Sequence, residues 1–534
     1  MHSTRLSRSL APLLAAAATI FQSGCGGSAS KTPISHAGTV TALLSSEYAG
    51  NWPTGLDPGS STTAAANISM MNAIFDGLFD LVADDDGRNP RVAPSLAKAG
   101  EISADGRTLT VHLREGVRFS DGTSFDAEAV KFNLLRDLQS PCSCSPTRWP
   151  WATEDPVAVA DNYTVVLNFA QPYAAAALNA FPASNINWIV SPTALRVMGP
   201  SAFKLHPVGA GAFVVVSDEM SARLVLSRNG SYWNPHRPFL DHLIFESVGS
   251  ESAAYLALLS GSAQVVEGVT STPLIAEAQR DGRISVTRQP GTSPYVVQLN
   301  TSVAPFNDKR AREAVYYATN VEAIRNGIFN GWYPPSETFT APGGLFHHAR
   351  VEGYREYDLA RARSLVTELG GLTVNLGTLK AQSAVQVITA LQTQWRQAGM
   401  SVTIDSYNVG ALVQQFKSGH WQAMLQTAGS YDPEAGSGVS IRFESNQLLS
   451  GVHDAALDEL LSRAADEADP RRRDADYRSA SEYISNNAYA PFLFAFAPAQ
   501  FSVHGLSGPG LTTKIPPILV NTGISWKDVR WTMK

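Results

Sequence analysis

Cysteines, paired histidines and clustered acids are the side chains of this 534-residue chain that could hold a metal, attack a carbonyl or move a proton. Cys142 and Cys144 stand one residue apart in Pro-Cys-Ser-Cys-Ser-Pro. A metal site would need further Cys or His at ligand spacing, and none lies nearby. In an oxidising compartment the two cysteines would tend to pair, although one intervening residue makes that loop strained. A loop-stiffening disulfide and two unpaired thiols both stay open. His347 and His348 are adjacent, and neighbours on a strand point to opposite faces, so a solvated loop is expected rather than a shared ion. Asp84-Asp85-Asp86-Gly87 lacks the spacing and terminal glutamate of an EF-hand and reads as a turn.

Gly209-Ala210-Gly211 looks like a fragment of a dinucleotide loop. It precedes the strand predicted at Phe213–Val216 instead of following one, and no third glycine comes at the required spacing. The chain has no Gly-x-x-x-x-Gly-Lys-Ser/Thr loop, no His-Glu-x-x-His and no Gly-x-Ser-x-Gly elbow. These residues do not assemble an active site. The expectation is a binder without cofactor or metal, not an enzyme.

The elements that would position a binding site alternate between strands and helices, which predicts an α/β chain. Leu109, Val111 and Leu113 alternate with polar residues, as do Tyr163, Val165, Leu167 and Phe169, so both stretches read as half-buried strands. Leu224 with Leu226, and Leu243 with Phe245, repeat the pattern. Asp308 heads a helical stripe of Ala311, Ala314, Val315, Ala318 and Val321. Asp358 opens a helix that Gly370-Gly371 closes, Asp454 and Asp469-Pro470 open further helices, and Gly399 closes another. Trp395 lies on the last of these stripes, which runs straight into a strand at Val402–Ile404.

Arg5 and Arg8 precede an apolar run from Leu10 to Phe21, followed by Gln22-Ser23-Gly24-Cys25 and a Gly/Ser tract. This is the pattern of a secretory signal. The run is shorter than the roughly 20 residues a bilayer-crossing helix needs. Cys25 behind small residues resembles the lipobox of bacterial lipoproteins, whose cysteine is lipidated and becomes the mature N-terminus. Gln22 departs from the aliphatic residue usual there, which keeps plain cleavage as the alternative. Residues 26–35 then form a flexible tether. Removing residues 1–25 leaves 39 Lys+Arg against 47 Asp+Glu, a net charge of −8. That charge offers no footprint for nucleic acid. The remaining ~500 residues exceed one ordinary core, so two or three lobes are expected.

Short segments then follow in a telling order. Gly55-Leu-Asp-Pro58 precedes Asn72–Phe79, Pro94-Ser-Leu-Ala97 and Leu113-Arg-Glu-Gly-Val-Arg-Phe-Ser-Asp-Gly122. Phe125-Asp-Ala127, Pro207-Val-Gly-Ala-Gly-Ala-Phe213, Arg228-Asn229, Tyr232-Trp233, Leu258-Leu-Ser-Gly261 and Tyr357-Asp358 come after. The series resembles the extracytoplasmic solute-binding proteins of dipeptide, oligopeptide and nickel importers, solute-binding protein family 5, over nearly the whole mature chain. Ala210 and Ala212 depart from the usual Thr and Pro.

The resemblance implies a two-lobed periplasmic-binding-protein-like fold with a subdomain inserted in the first lobe. By position, lobe I takes residues 36–72, 205–290 and 490–534, the insertion 73–204, and lobe II 294–487. The hinge crossings fall near Gln289–Pro294 and Asn487–Pro491. It also implies a monomer that captures short peptides or a similar small solute by hinge closure. The solute passes to an ABC permease with its ATPases, and lipid at Cys25 holds the protein outside the cytoplasm. A metal–chelate-binding protein of the same fold, and an exported hydrolase of peptides or cell-wall fragments, are the rival readings.

In peptide-binding relatives an acid that pairs with the solute's amine lies a few residues ahead of the Asp-Pro of Gln426–Pro433. Ala428 or Gly429 stands there in this chain. The match is nearer to the Tyr-Asp-Pro of nickel-type relatives, so Tyr431 is the first expected ligand contact and Asp432 is expected to be structural. The metal-touching histidine of those relatives falls near Ser445 here. Arg442 can hold a carboxylate through a bidentate fork, or form a surface salt bridge. Tyr48, Trp52, Arg148 and Trp149, with Trp151 beside them, are expected near the cleft, with packing as the alternative for each aromatic. Trp421 is expected in the core.

Overall fold

The computed structural model describes residues 38–45, 52, 55–60, 68–84, 90–139, 149–289, 293–427, 431–433, 438–467, 469–513 and 524–532. Cys25, the tether, Tyr48, Cys142, Cys144 and Arg148 lie outside them. None of the described helices is long and apolar enough to cross a membrane.

Two large sheets organise the chain. The first has seven strands, in the order Ile284–Arg288, Ala499–Val503, Val265–Val269, Thr39–Ser45, His242–Val248, Arg223–Arg228 and Phe213–Glu219. Thr39–Ser45 runs parallel to both of its neighbours, and the outer pairings are antiparallel. The second has five strands, Ser401–Tyr407, Thr373–Leu379, Ala423–Thr427, Ser293–Leu299 and Phe492–Phe496. Thr373–Leu379 is parallel to both of its neighbours there. Each sheet anchors one lobe. A four-stranded antiparallel sheet of Ala97–Ile102, Thr108–Leu113, Thr164–Asn168 and Val157–Asp161 forms the inserted subdomain. Its predicted strands bury every second residue, as a sheet with one covered face requires. Its core is continuous with that of lobe I.

Local signals place most helices. Asp308, Asp358, Asp454 and Asp469 each accept hydrogen bonds from the first-turn backbone of the helices Lys309–Ala318, Leu359–Glu368, Ala455–Asp466 and Pro470–Asn486. The stripe from Asp308 does not reach Val321 unbroken. The first helix stops at Ala318, and Asn320 caps a new one, Val321–Phe329.

The second lobe crossing differs from the expectation. Phe492–Phe496 pairs with Ser293–Leu299 in the lobe II sheet, so the chain returns to lobe I at Ala497-Pro498, not at 487–491. All five residues of Phe492–Phe496 are buried. A strand covered on both faces carries no alternation to say which sheet it joins.

Gly209 and Gly211 have a packing role. Gly211 N–H donates to the Ile74 carbonyl at 2.9 Å. A Cβ on Gly211 would sit 2.5 Å from Ile74 C and 2.6 Å from Ala73 O, backbone atoms of the helix Ile68–Phe75 that cannot swing aside. Gly211→Ala is therefore expected to destabilise the fold by about 1–3 kcal/mol through overpacking, read as a lower denaturation midpoint. An unchanged midpoint would mean that the helix can back away.

Candidate functional site

Lobe I contributes three parallel strands, Thr39–Ser45, His242–Val248 and Val265–Val269, and lobe II three more, Thr373–Leu379, Ser401–Tyr407 and Ala423–Thr427. Ligands of such sheets bind beyond the carboxyl ends of the strands. A cavity of about 370 Å³ opens there between the lobes, lined by Ser250, Thr270 and Thr272 from lobe I and by Phe329, Gln382 and Gln386 from lobe II.

The candidate residues of lobe II follow the carboxyl end of Ala423–Thr427. Asp432 is fully buried and faces Arg473 at 3.4 Å on the helix Pro470–Asn486. Arg473 also donates to the Ala464 carbonyl at 3.2 Å and lies over the Phe346 ring. This pair pins the turn, and Tyr431 beside it is aimed away from its own lobe. The Tyr431 ring joins the buried cluster of lobe I, with Ile68, Trp526 and Ile524 among its members. The phenolic oxygen is enclosed with no hydrogen-bond partner. Burial and then the adjacent Asp432 carboxylate hold its pKa well above the ordinary value.

Arg442 lies on the short helix Val439–Phe443 and is only 6% exposed. Its guanidinium donates to Gln426 Oε1. Gln426 Nε2 in turn donates to Gln298 Oε1 at 2.5 Å. Gln298 Nε2 donates to the Arg442 and Leu449 carbonyls at 2.7 and 3.0 Å. Both glutamines are thereby fixed, and Gln426 presents its oxygen to the arginine. No carboxylate among the described residues forms an ion pair with Arg442, and Nε is buried without a partner. Burial alone pushes its pKa down to about 10. At neutral pH it remains a buried cation whose Nε donor is unused.

The other aromatic candidates are packed inside the protein, Trp421 in the core as expected. Trp52 is fully buried in lobe I, and its indole N–H donates to Asp218 Oδ1 at 2.9 Å, which uses its one polar group. Trp149 stacks on Trp151 at 5.6 Å and meets Phe169, Tyr173 and Phe181 in an aromatic cluster of the inserted subdomain. Trp421 packs edge-on to Phe416. Ser445 serves the backbone, its Oγ accepting from Asp454 N–H at 3.2 Å.

The histidine pair is not a solvated loop. His347 Nδ1 is 2.9 Å from the Thr340 carbonyl, while His348 is buried, 3.3 Å from the Asp474 carboxylate. The two rings serve separate partners, and the described residues contain no cluster of three or more metal-ligating side chains.

Sequence reasoning passed over Glu267. It is 2% exposed, on the strand Val265–Val269 at the same carboxyl edge. Its one signal was an acid inside the apolar run Val-Val-Glu-Gly-Val.

Contacts on both sides of the crevice join the lobes. Gln171 Nε2 of the inserted subdomain donates to Asp466 Oδ1 of lobe II at 3.2 Å. Arg288 lies 5.0 Å over the Trp332 ring on the hinge side. The Tyr431 ring packs with the buried cluster of lobe I.

Known proteins share this architecture. Over 92% of this chain and 97% of the relative, the sequence is 26% identical to the glutathione-binding protein GsiB of Shigella dysenteriae. The periplasmic binding protein DppA of Helicobacter pylori, solved with the peptide STSA, superposes with a TM-score of 0.78 at 21% identity, covering 94% of this chain and 99% of that one. NikA of Brucella suis, solved with Fe(III)-EDTA, gives 0.74 at 20% identity, covering 89% and 98%. The family described as "Bacterial extracellular solute-binding proteins, family 5 Middle" matches residues 91–447. With two lobes, an inserted subdomain and a crevice at the strand ends, the chain belongs to the bacterial extracellular solute-binding proteins of family 5.

Proposed function

We propose that the protein captures short peptides or peptide-like solutes through a free carboxylate held by Arg442, and delivers them to an ABC permease without a catalytic step. The observation that carries this reading is the buried Arg442 guanidinium, which is oriented by Gln426 and has no carboxylate among the described residues to pair with. A buried charge is costly unless something pairs with it, and a solute's carboxylate would do so when the lobes close. GsiB is named for glutathione and the DppA structure holds a tetrapeptide, both of which are carboxylates. Tyr431, whose hydroxyl is enclosed without a partner, is assigned as a second contact that reports closure. Lipid on Cys25 would hold the monomer at the outer face of the membrane.

The test is a thermal-shift panel of glutathione, di- to pentapeptides, oligosaccharides, and nickel with and without chelators. A solute at 100 times its dissociation constant adds about 2.7 kcal/mol of stability. Stabilisation by glutathione or a peptide supports the reading. A response confined to a chelated metal would replace it with metal–chelate capture, and silence across the panel would overturn the solute class.

A further inference from the structure

The cavity between the lobes differs from the usual ligand pocket in what lines it. Among the described residues of its wall none is Lys, Arg or His, and Glu251 is the one acid. The Glu251 carboxylate is already engaged within lobe I. It accepts from Thr270 N–H at 2.9 Å, from Thr270 Oγ1 at 2.7 Å and from Ser271 N–H at 2.7 Å. Ligand pockets are mostly apolar, with a few polar groups that fix orientation. Here the proportion is reversed. Lobe I lines the cavity with the hydroxyls of Ser250, Ser252 and Thr272, and lobe II with the carboxamides of Gln382 and Gln386 beside the Phe329 ring.

Two helices begin at this wall without a capping side chain. Ser271 makes no such bond to the helix Thr272–Arg280, and Ala381 has no side-chain acceptor to offer Gln382–Gln397. Their first-turn N–H groups lack intrahelical acceptors and add donors to the wall. A helix start alone would favour an anion, but the Glu251 charge lies at the start of Thr272–Arg280 and offsets the dipole there. The wall thus presents donors and hydroxyl acceptors without a free charge of either sign. Neutral groups that both donate and accept, hydroxyls and carboxamides, match such a surface. An aliphatic group placed there would leave polar atoms of the wall without partners once water is expelled.

The cavity adjoins the Arg442 site. The strands Thr373–Leu379 and Ala423–Thr427 pair in parallel, with Thr378 opposite Leu425. Gln426, which orients Arg442, and the turn leading into Gln382 of the wall therefore stand at the same edge of neighbouring strands. Such strands lie about 4.8 Å apart. We propose that the cavity selects a neutral, hydroxyl- or carboxamide-bearing group of the solute, so that the protein takes hydrophilic carboxylates whose acid end meets Arg442 and whose polar group fills the cavity. This rests on the reading of Arg442 as the carboxylate holder. Peptide side chains and a sugar carried on an amino acid supply the same chemistry, and the probes separate them.

The test is titration calorimetry with two pairs of probes. Ser-Thr-Ser-Ala and Ala-Val-Ala-Ala share a backbone and nearly the same side-chain shapes but differ by three hydroxyls; serine and O-glucosyl-serine differ by a sugar. If side chains supply the hydroxyls, Ser-Thr-Ser-Ala is expected to bind at least about 10-fold more tightly than Ala-Val-Ala-Ala. If a sugar does, O-glucosyl-serine should exceed serine by at least about 10-fold. Ser252→Ala combined with Gln386→Leu, at two exposed positions of the wall, should bring the ratio found close to one. A variant that keeps the ratio would overturn the proposal, and so would ratios of one or below in both pairs for the unaltered protein. Ser-Thr-Ser-Ala amidated at its C-terminus tests the other reading separately. An amide that binds as tightly as the free acid would overturn the Arg442 assignment and leave the hydroxyl preference intact. Failure of every probe to bind would overturn both.

Discussion

Arg442→Met is expected to weaken binding of a carboxylate-bearing peptide by about 100-fold or more while leaving the unliganded protein as stable as before, or more so. The first effect follows from losing a charge-assisted fork in a desolvated site, which costs about 2–5 kcal/mol. The second follows from burial. The guanidinium is 6% exposed, and only the Gln426 amide is seen to compensate it. Hydrophobic replacement of even paired buried charges is often neutral or stabilising by about 1–4 kcal/mol. The pH dependence has a definite sign. Burial holds the folded-state pKa at about 10, below the usual 12.5, so the cost of the charge is present in full below about pH 10 and fades above it. The variant's stability advantage should therefore shrink as the pH rises above 10. Arg442→Lys keeps a charge but cannot form the fork, and should recover only part of the affinity. Calorimetry with the tightest peptide of the panel, beside thermal melts, reads both effects. Unchanged affinity would sink the carboxylate assignment. A large loss of stability would recast Arg442 as a structural clamp on Gln426 and Gln298.

Asp432→Ala should have the opposite signature, a loss of stability of about 3–5 kcal/mol. It would strip the carboxylate from Arg473, which is 3% exposed and also meets the Ala464 carbonyl, Tyr477 and the Phe346 ring. Removing one member of a buried pair leaves the other charge uncompensated, which is the expensive case. Replacing both members together, Asp432→Leu with Arg473→Met, should recover most of the loss, because no charge is then left inside. A double-mutant cycle measured by denaturant unfolding isolates the coupling. A single variant within 1 kcal/mol of the parent would show that the pair contributes little and that Tyr431 is positioned by other contacts. Asp432 and Arg442 lie ten residues apart, yet Asp432 is paired with Arg473 while the Arg442 Nε is enclosed without a partner.

The family, the two-lobed fold and the inserted subdomain were legible in the sequence because they rest on ordered motifs and on local chemistry. Asp308, Asp358, Asp454 and Asp469 bond to backbone two or three residues ahead, so a helix start needs only its own few residues to be recognised. The strands Thr108–Leu113 and Thr164–Asn168 have one covered face, and the alternation is written in their residues. The break after Ala318 was missed because the apolar spacing continues through a turn in which Asn320 restarts the helix.

What the sequence determined by itself was therefore everything set by neighbours within a few residues: caps, amphipathic strands and the order of family motifs. Tertiary structure alone decided which sheet receives Phe492–Phe496, because a strand buried on both faces is set by a partner nearly 200 residues earlier in the chain. It alone decided that Trp149 packs among four aromatic rings, and that His347 and His348 turn to separate partners. Above all, it decided the charges. Arginine and glutamate are ordinary surface residues until the fold encloses them, and whether an enclosed charge meets an opposite one depends on what distant segments bring to it. Asp432 meets Arg473, whereas Arg442 and Glu267 meet amides and a hydroxyl and leave an enclosed nitrogen and oxygen unpaired.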